Sequence, residues 1–213
     1  MATDQTPRRR ITPKEGTLAA IVGAGAAALL LQVVPEEESG RTVKVDIAQD
    51  GSATVIHLTG RQYLSAYLDI ASVATACDGL TRYQGKPIRV GMRFTEPQCA
   101  SMLEAELIQH GKIVMGCTRF DKERQPYQIF TAVSFNYNTG GWCGSTANKR
   151  VKAGNIAGGC DALLMWDKAR VKGVLRPVKG LTYRRNRERQ YCLTNVVPGA
   201  TPQNLAKRLG PWR

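Results

Sequence analysis

At 213 residues the chain has room for one globular domain of roughly 150 residues plus extensions. A hydrophobic content of 43% excludes a chain disordered throughout, and a formal net charge of +13 requires an anionic partner. Nucleic acid, an acidic membrane surface and the anionic bacterial wall all qualify, and charge does not choose among them.

In chain order, a basic stretch (residues 1–15, with Arg8, Arg9, Arg10 and Lys14) precedes the uncharged run GTLAAIVGAGAAALLLQVVP at 16–35, and Glu36, Glu37 and Glu38 follow. At about 1.5 Å per residue such a run just spans a bilayer core of about 30 Å. Cations upstream place the N-terminus in the cytoplasm and everything after Pro35 outside, at the inner membrane facing the periplasm. A cleaved signal peptide would carry its small residues after the apolar run, whereas Ala24-Gly25-Ala26 lie in its middle. A buried core helix is the other rival, apolar on every face. The expectation is an uncleaved signal anchor. Alanine and glycine make it a weak one, so release from lipid is physically open.

Residues 42–58, TVKVDIAQDGSATVIHL, read as two strands about a two-residue Asp50-Gly51 turn, with Val43, Val45 and Ile47 alternating with polar positions. QYLSAYLDIASVAT suits short strands and turns. Thr95-Glu96-Pro97 starts a helix that runs to Gly111, and Ile129, Val133 and Tyr137 mark a second over Pro126 to Asn138. Residues 141–154 and 158–172 suggest two more, and a basic one surrounds Tyr183 to Leu193. A β-rich part followed by a helical part makes an α+β domain over 36–195, with a loose tail at 196–213.

Six cysteines stand at Cys77, Cys99, Cys117, Cys143, Cys160 and Cys192. Wide spacing without paired CxxC motifs fits disulfides better than zinc, so no metal is expected. Bridges imply an oxidising compartment such as the periplasm; the alternative is six buried thiols in a cytosolic protein. Spacing leaves the pairing open.

Glycoside hydrolysis needs one carboxylic acid for the leaving oxygen and a second carboxylate to handle water. Asp69 suits the second role, and Thr75, six positions on, offers a hydroxyl that both donates and accepts. Several stretches then resemble the phage lysozymes of glycoside hydrolase family 24, signal-anchor-release endolysins among them. They are Ala66-Tyr67-Leu68-Asp69 with Val73 to Thr81, Thr95 to Cys99, Val133 to Gly140, Gly159-Cys160-Asp161 with Trp166, and Gly180-Leu181 with Arg184, Arg185 and Glu188. Their joint order is specific and covers about Pro35 to Leu193.

The resemblance implies a lysozyme-like fold, a small β-rich lobe and a larger helical lobe after an N-terminal hydrophobic helix. It also implies a catalytic glutamate, aspartate and threonine. Asp69 and Thr75 fit, but the usual glutamate position holds Gly60. Glu38-Ser39-Gly40-Arg41 keeps the family's glutamate-to-arginine spacing, with 42–58 as an inserted hairpin, so Glu38 becomes the general acid and Glu37 its fallback. Leu80 stands where many relatives carry histidine. Asn138 matches a position lining the family's saccharide cleft, or else caps a helix; Trp142 and Trp166 read as core.

The reading is an inverting muramidase (EC 3.2.1.17) on peptidoglycan, without cofactor, membrane-held through residues 16–35 and a monomer once released. Inversion sets the carboxyl groups roughly 6.5 to 9.5 Å apart. A lytic transglycosylase and an inactive wall-binding homologue remain as alternatives. Nucleic-acid binding explains the charge but neither the anchor nor the aspartate-threonine segment.

Overall fold

The computed structural model describes residues 12–69, 72–171, 173–198, 200, 201 and 203. Arg8, Arg9, Arg10 and most of the 196–213 tail lie outside the described residues.

The apolar run at 16–35 is not one helix. Thr17 caps α1 (Leu18–Val22) by accepting from the Ala20 amide, and Gly23 then separates it from α2 (Ala24–Ser39). Gly23 holds φ +87° with ψ 151°, a backbone that residues with a Cβ rarely adopt. Among the described residues no helix is long and apolar enough to cross a membrane. The sequence expectation of a spanning helix therefore does not describe this conformation. Leu18, Val22, Leu30, Leu31 and Val34 are all fully buried in the protein core. Burial of side chains this size stabilises by about 1.5 to 3 kcal/mol each, so the core replaces lipid as their solvent.

After α2, β1 (Thr42–Ile47) and β2 (Ala53–Thr59) form an antiparallel hairpin with Ile47 opposite Ala53. Its connection is the five residues Ala48 to Ser52, closed by the Ala48 amide donating to the Ser52 carbonyl, rather than the expected two-residue turn. The tip clasps the start of α1. The Lys14 amide donates to the Asp50 carbonyl, and a Cβ on Gly51 would stand 2.7 Å from the Pro13 side chain.

Short strand pairs follow: β3 (Tyr67–Leu68) with β4 (Ala74–Thr75), and β5 (Arg82–Tyr83) with β6 (Lys86–Pro87). Thr95 and Gln98 then close a capping box on α3 (Glu96–Cys117). This helix continues past Gly111, which survives inside it because a Cβ there would meet the Val22 side chain at 2.9 Å. Glycine is therefore the residue that lets α1 pack closely.

The central pillar α4 (Pro126–Thr139) is buried continuously from Gln128 to Asn136, and Gly140 caps it in the left-handed conformation. Only part of the two expected helices that follow is present: α5 (Thr146–Lys152) and α6 (Ile156–Ala162), then a 3-10 turn, Leu163–Trp166. Where 158–172 suggested continuing helix, β7 (Lys168–Val171) pairs with β8 (Val174–Pro177) instead. Its small and apolar residues contain no helical stop, and β-branched Val171 and Val174 face one another across the hairpin. Finally α7 (Lys179–Leu193) packs back on α4.

The cysteines pair in sequence order as Cys77–Cys99, Cys117–Cys143 and Cys160–Cys192, and none is free. Loops of 22, 26 and 32 residues are closed. Chain-entropy arguments give each bridge about 3 to 4 kcal/mol. Replacing Cys77 and Cys99 together by alanine is expected to cost about 3 kcal/mol, read as a lowered denaturant midpoint.

Candidate active site

The last turn of α2 presents Glu38 to one wall of a cleft of about 410 Å³ shared with Gly79, Glu106, His110, Tyr137 and Asn138. A Cβ on Gly79 would lie 3.8 Å from the Glu38 carboxylate. Glu37, one residue earlier, points to a different neighbour: its carboxylate pairs with Arg187 of α7 at 3.0 Å. The helix thus aims its two carboxylates apart, and Glu38 is the one in the cleft.

Two arginine systems hold Glu38. From behind, Arg184 Nη1 donates to it at 2.6 Å while Arg184 Nε reaches Glu188 at 3.4 Å. Glu188 is almost fully buried and also accepts from the Ser134 hydroxyl at 2.9 Å. Arg185 Nη2 bonds it at 3.2 Å; Arg185 Nε is also 3.2 Å away but misaligned for a hydrogen bond. Burial pushes the Glu188 carboxyl up from its ordinary value, opposed by the charges of Arg185 and Arg184. Arg185 spans further, donating to the Asn138 side-chain oxygen Oδ1 at 2.9 Å and lying over the Phe135 ring.

In front, Arg41 follows the Gly40 cap of α2 and is itself buried. Its guanidinium grips buried Asp78 bidentately, Nε at 2.6 Å and Nη2 at 2.7 Å, and also donates to Glu96 at 2.6 Å. The Ser39 hydroxyl donates to Asp78 at 2.8 Å as well. One planar fork thereby binds the end of α2 to the loop after β4 and to the first turn of α3.

The β3–β4 hairpin just before that loop carries the other two expected residues. Asp69 directly follows β3, where its Oδ1 accepts from the Val73 amide at 2.8 Å and its Oδ2 accepts weakly from the Thr75 hydroxyl at 3.5 Å. Thr75 is buried on β4, with Val73 offering a second acceptor at 3.1 Å. The structure therefore joins Asp69 to Thr75, and joins Glu38 to Asn138 by a common cleft wall. Asn138 is no helix cap, because Gly140 takes that position. Trp142 is core, its indole donating to Thr118 at 2.9 Å, whereas Trp166 is half-exposed against Phe135.

Sequence reasoning passed over Asp78, Glu106 and His110. Asp78 lies inside a quoted motif, yet only the fold reveals that it answers Arg41 across 37 residues. Among the described residues no cluster suits a metal ion.

Glu37 supplies a test of direction. Burial raises its carboxyl above the ordinary value, opposed by Arg187 and Arg184. A carboxyl raised on folding contributes stability that is full below the unfolded value near 4.5 and is lost as pH rises through the folded one. Glu37→Gln is accordingly expected to hold or raise Tm at pH 7 relative to wild type, with the difference shrinking below about pH 4.5. For Arg41→Ala, which strands buried Asp78, the expected loss is about 3 to 5 kcal/mol by chemical denaturation.

Residues 60–188 match the Phage lysozyme family. The SAR-endolysin of Pseudomonas phage phiKMV is 34% identical over 142 residues, 66% of this chain and 84% of the relative. The solved endolysin from Escherichia coli O157:H7 phage FAHEc1 is similar at a TM-score of 0.62 and 26% identity, covering 82% of this chain and 94% of its own. The P1 phage endolysin Lyz in its active form shares the fold at TM-score 0.58 and 21% identity, over 82% of this chain and 86% of its own. The family match begins at Gly60, after the β1–β2 hairpin, and takes in Asp69, Thr75 and the Arg184–Glu188 group. The chain belongs to the phage lysozyme family, and it is a peptidoglycan-degrading hydrolase.

Proposed function

We propose that Glu38, Asp69 and Thr75 hydrolyse the β-1,4 bond between N-acetylmuramic acid and N-acetylglucosamine with inversion, after residues 16–35 have served as a releasable signal anchor in the host inner membrane. The observation that carries the assignment is the position of Glu38, which lines the cleft while tied through Arg184 to Glu188. Arg184 divides its charge between two carboxylates and fixes the Glu38 carboxyl against rotation. From there Glu38 protonates the leaving oxygen. On the β-rich side, the Val73 amide holds Asp69 by one oxygen. The other oxygen and the Thr75 hydroxyl orient the attacking water, and Asp69 takes its proton.

Wall-digestion assays test each role. Glu38→Gln and Asp69→Asn are expected to lose at least about a hundredfold in rate, while Glu37→Gln retains activity. Lysis surviving in Glu38→Gln overturns the acid assignment. Inversion predicts α-configured reducing ends at first release by NMR; 1,6-anhydro ends identify a transglycosylase instead.

The membrane half of the reading rests on the composition of 16–35 and the way its burial completes the site. In a bilayer, α2 is kept from Arg184 and Asp78, so the cleft lacks its acid. Once released, the segment breaks at Gly23 and docks: Leu18 donates its amide to Glu104 at 3.1 Å, and Lys122 Nζ donates to the Ala20 carbonyl at 2.7 Å. The released enzyme works as a periplasmic monomer on peptidoglycan and needs no nucleic acid.

Replacing Gly23 and Gly25 by leucine strengthens the anchor and sets side chains against Lys122 and Pro126, at 3.0 and 3.1 Å for the Cβ atoms alone. More protein in the membrane fraction and delayed lysis are expected; undiminished lysis sinks the control mechanism. Gly111→Val, which leaves the apolar run untouched, is expected to obstruct α1 docking and lower the activity of released protein without raising membrane retention.

A further inference from the structure

The cleft contains an imidazole that the hydrolytic mechanism does not use. His110 projects from α3 into the space shared with Glu38 and Asn138, one helical turn after Glu106. Its ring stands edge-on to Tyr137, with centroids 5.3 Å apart. On the loop after β4, Leu80 is buried and has no side-chain donor, while Thr81 and Arg82 beside it also line the cleft.

Its tautomer follows from its neighbours. Asn136 is buried, and its side-chain oxygen accepts from the Trp142 amide at 3.2 Å. Flipping the Asn136 amide would leave that buried N–H unpaired, so the amide nitrogen must face His110, where it lies 3.0 Å from Nδ1. An amide nitrogen only donates. Nδ1 is therefore the acceptor, and the proton of the neutral ring sits on Nε2. Nε2 is not among the buried atoms left without a partner, and His110 lines the open cleft. Burial lowers the proton affinity of the ring from its ordinary value, against the pull of the Glu106 charge and the Asn136 carbonyl. The cleft wall thus carries a neutral, oriented N–H.

We propose that His110 forms a subsite for the acetamido carbonyl of an N-acetylhexosamine unit, with Nε2–H as the donor. Glu38 and Glu106 line the same cleft and disfavour an anionic acceptor, and on a glycan strand the strongest neutral acceptor is the amide oxygen. Glu106, beside it, accepts sugar hydroxyls. The proposal rests on the hydrolase reading above and adds a recognition role for the 2-acetamido group.

The test compares wild type, His110→Phe and His110→Gln on N-acetylated wall and on enzymatically de-N-acetylated wall, by kcat/KM and by pelleting affinity. His110→Phe keeps a flat ring but removes the donor. On acetylated wall it is expected to lose roughly three- to tenfold in both readouts, mainly through KM. His110→Gln returns an N–H and recovers most of the loss. On de-N-acetylated wall the difference between wild type and His110→Phe falls to about onefold. An equal penalty on both walls overturns the subsite, as does a His110→Gln that binds no better than His110→Phe. Should His110→Phe fail to fold by Tm, His110→Ala takes its place with the same outcomes required. Wild type that binds acetylated wall without cleaving it refutes the hydrolase mechanism, and pelleting affinity still decides the subsite.

Discussion

Arg41 is held by three elements at once, and much of the molecule is arranged around that grip. Its guanidinium sits between Asp78 and Glu96, with Gln62 donating to the far oxygen of Glu96 at 2.6 Å. A buried ion pair of this kind adds little net stability, since desolvation cancels most of the attraction. What it supplies is position: a planar fork bonded bidentately tolerates little rotation. The end of α2 therefore has one place to go, and the residue three before Arg41 goes with it into the cleft. The β1–β2 hairpin leaves directly after Arg41 and returns at Thr59, opposite Thr42, so its eighteen residues add length without displacing either side.

A second chain of charge runs through the helical lobe, from Glu188 through Arg184 to Glu38. Its inner members are buried on α7 and face Ser134 and Thr131 of α4, with the Thr131 hydroxyl donating to the Glu188 carbonyl at 3.1 Å. Several buried donors here, Arg184 Nη2 and Arg185 Nη1 among them, have no partner among the described residues. Buried unpaired donors are costly, and such cost concentrates where chemistry needs groups held in place. Glu38 is thus positioned from two directions, by Arg41 through the backbone and by Arg184 through its side chain.

Much of this was legible in the sequence, and the failures have physical causes. The α3 start, α4, α7 and the 42–58 hairpin follow from caps and periodicity. The readings of Asp69, Thr75 and Glu38 came from the family resemblance, and the fold brings Asp69 to Thr75 and sets Glu38 in the cleft. The hydropathy of the 16–35 run suits a core as well as a bilayer; its seat in this conformation depends on the break at Gly23 and on complementary surfaces such as Gly111, which exist only in the fold. Likewise the β7–β8 hairpin lies in a stretch whose apolar residues suit either period. His110 and Asp78 carry no local mark, since their partners are 26 and 37 residues distant.

The order of the disulfides has a consequence for how the molecule is assembled. Each bridge joins one cysteine to the next along the chain, so the three covalent loops neither overlap nor nest. A chain threaded outward from its N-terminus can close them one at a time as each second cysteine emerges, with no reshuffling. All three lie after Thr75, and α2, which carries Glu38, belongs to none of them. Oxidation therefore hardens the body of the enzyme alone, and residues 12–69 are held to it by non-covalent contacts only.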